Sequence, residues 1–493
     1  MDNIALASPE IFLLTATCAV LVIGLFVDAE RQVVYWLSQA TLIVTLLLSF
    51  SQIGSEAATA FNGAYEIDAM SVTLKSWILV VGIGVFLYSR DYLTGRRIAR
   101  GEYYVLALFA VGGMMIMVSA QNMLTVYLGL ELLALSQYAM VALLRDDGQA
   151  SEAAMKYFVL GALASGMLLY GMSMIYGATG SLDLGTIRDV LASSGLGGDP
   201  DAIGNATALP NGSDPRTIGA RFGLVFIIVG IAFKLGAVPF HMWVPDVYEG
   251  APTSVALFIS TAPKLAAFAM LIRLLVDGLE VLNNDWQQML AILSALSMVV
   301  GNLVAIAQSN IKRMLAYSTI SHVGFLLMGI VGAGPDGYSA SMFYAITYAF
   351  TTLAAFGVLL ALSRGGHEAV TLEDLAGLAR RNTLLAVVML LAMISLAGVP
   401  PLVGFYAKLV VLQSAIGAGY AWLAIVGVIM SVVGAFYYLR VVKLAFFDEP
   451  VDDAAEIETA GDVSAGLAVN GLAMLVLGVF PGLIMAACIA AFG

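Results

Sequence analysis

Apolar runs long enough to cross a bilayer recur along nearly the whole chain, and this feature limits the possible folds more than any other. A helix needs about 20 apolar residues to span a ~30 Å hydrocarbon core. Runs separated by polar or Gly/Pro breaks lie near 8–27, 35–53, 70–89, 103–119, 122–144, 153–177, 219–243, 253–276, 286–307, 314–332, 340–363, 383–414, 421–446 and 464–491. Only 11% of the 493 residues are charged, and the mean hydropathy is +0.93. Soluble domains carry roughly 25% charged residues, so a water-exposed fold of this chain could not be covered with polar surface. The expected fold class is an all-α polytopic membrane protein with about 14 transmembrane helices. The first run follows acidic and neutral residues, without a basic flank, and is expected to be the first span and not a cleaved leader.

Several function classes are disfavoured. Cys18 and Cys488 lie in apolar stretches at opposite ends of the chain and neither has a CxxC partner, which argues against bound iron–sulfur or structural zinc. No phosphate-binding glycine loop appears between a strand and a helix. No cofactor or metal is therefore expected on this chain. The net charge of −12 resides in loops and does not point to nucleic acid.

Basic residues set the orientation. If the first connection, with Arg31, is cytoplasmic, the odd-numbered connections hold 13 of the 22 Lys and Arg and the even-numbered ones hold 4. The other five, Lys75, Lys156, Lys234, Lys264 and Lys408, lie inside or at the ends of spans. This bias follows the positive-inside rule and places both termini outside, in the periplasm of a bacterial inner membrane. The longest polar connection, 179–217, is expected to be an extramembrane loop. Lys75, near the outer end of its span, is expected to snorkel to the headgroups.

One stretch combines an ionisable group with a helix break. Phe233–Thr253, FKLGAVPFHMWVPDVYEGAPT, puts Lys234 in an apolar run that Pro239 interrupts and carries His241 and Trp243 to a second break at Pro245. Charged groups beside broken helices at membrane depth mark ion and proton paths. A related break occurs in ISLAGVPPLVGFYAKL, Ile394–Leu409, which pairs Pro239 with Pro400. The span order advances by five between them, an odd number, so the two breaks belong to inverted halves. The expected organisation is a three-helix segment at 1–102, a first half at 103–276 (helices 4–8), a second inverted half at 286–446 (helices 9–13) and a C-terminal loop and helix at 447–493. Helices 7 and 12 are the discontinuous ones.

The buried ionisable residues are the candidates for chemistry. Glu131 lies near the middle of its span, where a carboxylate is costly unless paired or neutral. Lys234 is its natural partner; a static salt bridge locking two helices is the competing reading. Lys264 follows Pro263 amid Ala, Phe and Leu, too far from either end of its span to snorkel. Burial there disfavours its charge and a nearby carboxylate favours it, a balance that lets a lysine exchange a proton when its partner moves. Lys408 follows the second break. His322 either relays protons or bridges two helices structurally. His241 either lines an entry path or caps the broken helix. Lys156 is either a second lysine near Glu131 or a structural residue at the cytoplasmic end of its span.

The segment from Phe233 to Thr253, with STAPKLA after it, resembles the core motif of the antiporter-like membrane subunits of respiratory complex I. These share a fold with the large subunits of multisubunit cation/proton antiporters. PDVYEGAP, IKRMLAYSTISHVG and a length near fourteen spans are similar to the subunit N group of that family, and the resemblance runs from about Tyr103 to Lys443. It implies that Glu131 and Lys234 form the pair of the fifth and seventh spans, that Lys264 is the connecting lysine of the eighth, and that Lys408 is the lysine of the twelfth. Lys156 and His322 fall at supporting positions. It further implies a proton-translocating subunit of an NADH:quinone oxidoreductase, with other membrane subunits and the lipid bilayer as partners. NADH, FMN, iron–sulfur clusters and quinone would be bound by other subunits. The alternative is a subunit of a multisubunit cation/proton antiporter.

Overall fold

The computed structural model describes residues 4–27, 32–96, 101–193, 215–363, 368–450 and 457–493. Arg31, Arg97, Arg100, Arg364 and His367, together with residues 194–214 of the long polar connection, lie outside the described residues. Among the described residues, 13 helices are long and apolar enough to cross a membrane. Two shorter apolar helices, Thr383–Ala397 and Val403–Gly417, follow one another and make up one more interrupted span. The helices follow, in chain order, the apolar runs read from the sequence, and the last run, 464–491, divides into Gly461–Val479 and Gly482–Ala490.

Burial separates the centre of the bundle from its rim. The eighth span, Thr253–Gly278, is covered by protein except at Val276 and Asp277 near its end, and the tenth, Ile311–Val331, and eleventh, Pro335–Leu362, are nearly all covered. The first, sixth and thirteenth spans leave about two thirds of their residues open to the surroundings. Lys264 and His322 are carried by the central spans. Without a hydrophobic drive between helices in lipid, small residues permit the close crossings. A Cβ on Gly113 would meet Gly129 O at 2.7 Å, and one on Gly171 would meet Gly223 O at 2.7 Å. The first crossing seats the fifth span, Met123–Val141, with Glu131 two residues past the contact. The second seats the seventh against the sixth, Gly148–Thr179.

The seventh span is broken around Pro239 as the sequence predicts but not at Pro245, which lies in the first turn of the second helix, where a proline is tolerated. Pro215–Leu235 ends at Gly236, and a second helix, Trp243–Gly250, follows. Trp243 Nε1 donates to Phe233 O at 2.9 Å and Val238 N donates to Ser297 Oγ at 2.9 Å, which fixes the connecting turn. The twelfth span breaks in the same way at Gly398. Both glycines have φ +84°, the left-handed conformation that favours glycine at a helix C-terminus. Registering the breaks on these glycines sets Pro239 against Pro401, one residue beyond the Pro400 pairing read from the sequence. Equal small-residue and proline composition around both breaks hides this offset.

Some structure has no strong sequence signal. The eighth span is interrupted at Thr261, before Pro263, and its last turn, Ile272–Gly278, is a π-helix. A short hairpin, Ala58–Ala60 with Tyr65–Ile67, connects the second and third spans. Within the connection 179–217, Leu184–Ser193 is helical.

Candidate functional site

Five lysines are buried: Lys75, Lys234, Lys264, Lys312 and Lys408. Their partners divide them into two groups. Lys75 Nζ lies 2.6 Å from Glu10 Oε1 and donates to Tyr65 OH at 2.9 Å, while Tyr65 OH donates to Glu10 Oε2 at 2.9 Å. Lys75 is therefore a fully buried ion pair between the first and third spans and does not snorkel. Glu10, which carries its counter-charge, lies in the first turn of the first span, and nothing local in the sequence ties it to the third. Lys312 Nζ lies 3.3 Å from Glu368 Oε1 and donates to Ala251 O.

The other three lysines have neutral acceptors only. Lys234 Nζ donates to Gln137 Oε1 at 3.1 Å, and Tyr157 OH donates to the same oxygen at 2.9 Å. Lys264 Nζ donates to Leu235 O at 2.7 Å, and Lys408 Nζ donates to Ala397 O at 3.0 Å. Aromatic rings lie near two of the ammonium groups. Lys264 Nζ is 5.5 Å from the Trp243 ring centroid and Lys408 Nζ is 4.9 Å from that of Phe325. A cation near a ring face gains about 0.5–2 kcal/mol, far less than an ion pair at this depth.

Glu131 and Lys234 line one small cavity with Tyr138, Tyr157 and Ser165, a space of about 20 Å³. That is room for about one water molecule. The two charges are not within ion-pair distance: Ser165 Oγ donates to Glu131 Oε1, and Lys234 turns to Gln137. Sequence reasoning missed Gln137, because a glutamine in an apolar run gives no signal until its lysine partner is known. Lys156 lies apart, in an ion-pair cluster with Glu152 at 2.8 Å and Asp246 at 2.9 Å, and Arg313 bridges Asp246 and Glu249. His241 sits half-buried in the turn between the two parts of the seventh span.

His322 joins two spans and approaches a third. Its Nδ1 pairs with Tyr344 OH at 2.6 Å and its Nε2 with Tyr438 OH at 3.0 Å; Tyr438 OH also pairs with Ser318 Oγ. A cavity of about 10 Å³ lined by His322, Tyr344, Tyr348, Thr351, Ser395 and Ala407 leads towards the twelfth span, where Lys408 follows Ala407. Together these residues place exchangeable protons on spans 5, 7, 8, 10, 11 and 12.

A family model described as NADH:quinone oxidoreductase/Mrp antiporter, TM, matches residues 120–434, which include Glu131, Lys234, Lys264, His322 and Lys408. The NADH-quinone oxidoreductase subunit N of Thioalkalivibrio sulfidiphilus (strain HL-EbGR7) is 55% identical over 478 residues, covering 97% of this chain and 96% of that one. The chain belongs to the NADH-quinone oxidoreductase subunit N family. Another member, from Herminiimonas arsenicoxydans, is 54% identical over 508 residues, covering 100% of this chain and 99% of that one. In the structure of respiratory complex I from Thermus thermophilus with bound aureothin, one chain is 33% identical. Its TM-score is 0.80, with 98% of this chain and 100% of that chain covered. A chain of the Mrp complex from Dietzia sp. DQ12-45-1b, 19% identical, shares the fold with a TM-score of 0.82 over 98% of this chain and 96% of that one. Subunit N is thus a multi-pass membrane subunit of a respiratory complex whose partners are the other subunits.

The connections of this subunit N fold hold further buried charge. Glu368, between the eleventh and twelfth spans, accepts from Thr253 N, Thr253 Oγ1, Tyr92 OH and Lys312 Nζ, and its Oε2 lies 3.2 Å from Arg96. Burial pushes the Glu368 carboxyl up, but Lys312, Thr253 and Arg96 outweigh that and hold it below the usual carboxylate range. At the opposite end of the eighth span, Arg273 is ringed by Glu66, Asp68 and Asp277 at 3.4, 2.9 and 3.0 Å. There burial, with Asp68 and Asp277 adding to it and Arg273 opposing, raises the Glu66 carboxyl.

Proposed function

We propose that this chain conducts protons in the membrane arm of an NADH:quinone oxidoreductase and couples their movement to electron transfer in other subunits. One observation carries the reading: of five buried lysines, the three on the interrupted spans and the eighth span lack a carboxylate within ion-pair distance, whereas the other two are paired. An ammonium in a dry interior with only neutral acceptors is costly, and such a group takes and releases a proton as its surroundings change. Lys75 and Lys312, each held by a carboxylate, keep their charge and lock helices.

The order of transfer follows the contacts. Lys234 loads beside Glu131, which is free to approach when a neighbouring subunit's charge changes. In the open arrangement Lys234 rests on Gln137. Its neighbour in sequence, Leu235, offers the carbonyl that holds Lys264, so Lys234 and Lys264 meet at one turn of backbone. The hydroxyls and imidazole around Tyr348, Tyr344 and His322 then lead to Lys408 and outward. Lys156, in its own ion-pair cluster, sits beside the cytoplasmic end of this route, and His241 lies at the break. The chain contributes no redox centre in this scheme; NADH, FMN, iron–sulfur clusters and quinone belong to other subunits. The charge bias of the connections puts both termini in the periplasm of a bacterial inner membrane. The test is Lys234→Ala and Glu131→Ala in the assembled complex. Loss of NADH-driven proton translocation supports the reading, and unchanged quinone reduction with unchanged translocation overturns it.

A further inference from the structure

The first halves of the two interrupted spans end alike. Gly236 N and Ala237 N both close on Ala232 O; Gly398 N and Val399 N both close on Ile394 O. Such an ending leaves the last carbonyls without helical donors, at the negative end of the helix dipole. In each span the residue just before the glycine gives its carbonyl to a lysine: Leu235 to Lys264 and Ala397 to Lys408. The lysines arrive from different places. Lys264 belongs to the eighth span, whereas Lys408 belongs to the second part of the span it caps. Ten residues after the glycine stands Lys408 in one half and Asp246 in the other. The halves thus share the seat and not the residue that fills it.

The seat depends on an absent side chain. A Cβ on Gly398 would lie 2.7 Å from Lys408 Cδ and 3.3 Å from both its Cε and its Nζ. A methyl group there would press on the lysine stem, which would have to shift. Gly236 is crowded mainly by Val244 Cγ2, at 2.7 Å, with Lys264 Nζ at 3.8 Å. We propose that Gly398 is a positioning residue for Lys408: its lack of a side chain lets the ammonium rest on the open carbonyl end of the broken helix, which serves in place of a carboxylate. This rests on the reading of Lys408 as a proton carrier.

Gly419 separates space from backbone conformation. It also ends a helical segment, with φ +85°, and a Cβ there meets nothing within 4 Å. Gly398→Ala, Gly419→Ala, Lys408→Ala and the double variant Gly398→Ala/Lys408→Ala are made in the whole complex. NADH-driven proton translocation in membrane vesicles is normalised to assembled complex on native gels. Gly419→Ala is expected to translocate as wild type. Gly398→Ala is expected to lose up to about a hundredfold, the cost of displacing an acting group by ~1 Å. The double variant is expected to match Lys408→Ala in both assembly and rate, because the crowded stem is gone. Translocation in Gly398→Ala equal to that in Gly419→Ala overturns the proposal. So does a double variant that assembles less well than Lys408→Ala, and this arm decides the matter if Gly398→Ala alone does not assemble. Unchanged translocation in Lys408→Ala instead overturns the proton-carrier reading itself.

Discussion

Lys75→Met asks whether a paired buried lysine is static. Lys75 is fully buried with its Nζ 2.6 Å from Glu10 Oε1. At an effective dielectric of 20, that separation corresponds to about 6 kcal/mol of attraction before desolvation is counted. Removing one partner of a buried pair typically costs about 3–5 kcal/mol, because the other charge is left uncompensated. Lys75→Met should therefore lower the thermal midpoint of the assembled complex or the amount assembled. Lys75→Met/Glu10→Leu should recover most of the loss, since replacing both charges by apolar groups is often neutral. The residual deficit is the Tyr65 hydroxyl, which loses its carboxylate acceptor, at about 1–3 kcal/mol. Proton translocation per NADH oxidised, measured on the assembled fraction, should match wild type in both variants. Loss of translocation in Lys75→Met with assembly and thermal midpoint unchanged would refute the reasoning, because ion pairing would then not separate static lysines from working ones.

Three further outcomes are expected. Glu368→Gln should lower the thermal midpoint at pH 7, since Glu368 faces Lys312 and Arg96. The Glu368 carboxyl is depressed from 4.5, so its contribution is present above that value and lost as pH falls through the folded-state value. In a melting series taken from pH 7 to well below pH 4, the gap to wild type should hold down to about 4.5 and close below it, and a gap that stays constant throughout would contradict the assignment. His322→Phe should reduce translocation in assembled complex by more than Tyr344→Phe does. Both break the same 2.6 Å contact, but only the first removes the imidazole, and equal effects would assign His322 a structural role. Gly171→Val should abolish assembly, because its side chain would enter the backbone of the seventh span at Gly223 and Ile227; native gels showing normal assembly would rule out that close crossing.

Local signals made the spans and the two breaks legible. Hydropathy over about 20 residues locates a membrane helix, and Gly–x–Val–Pro or Gly–Val–Pro–Pro inside such a run ends it, because the glycine adopts φ +84° and proline cannot continue the helix. Lys234, Lys264 and Lys408 stood out because charge in an apolar run is rare. Their acceptors did not, since two are backbone carbonyls and the third is the neutral Gln137. Pairings between distant segments were also hidden: Glu10 with Lys75, Glu368 with Lys312, and Arg273 with Glu66 of the hairpin depend on how spans pack, which periodicity does not encode. The Thr261 interruption had a signal in Pro263, which cannot continue a helix, but TSVALFISTAPKLAAFAML is long enough to read as one unbroken span.

The central claim is that a buried lysine without a carboxylate partner carries protons, and Lys264 is its most enclosed example, on a helix, Ala262–Leu271, whose residues are all buried. The most direct measurement is NADH-driven proton translocation in vesicles bearing Lys264→Met, which keeps the length of the side chain and removes its charge. The account predicts assembled complex with translocation strongly reduced and quinone reduction slowed in step. Assembled complex that translocates protons and reduces quinone at wild-type rates would contradict it.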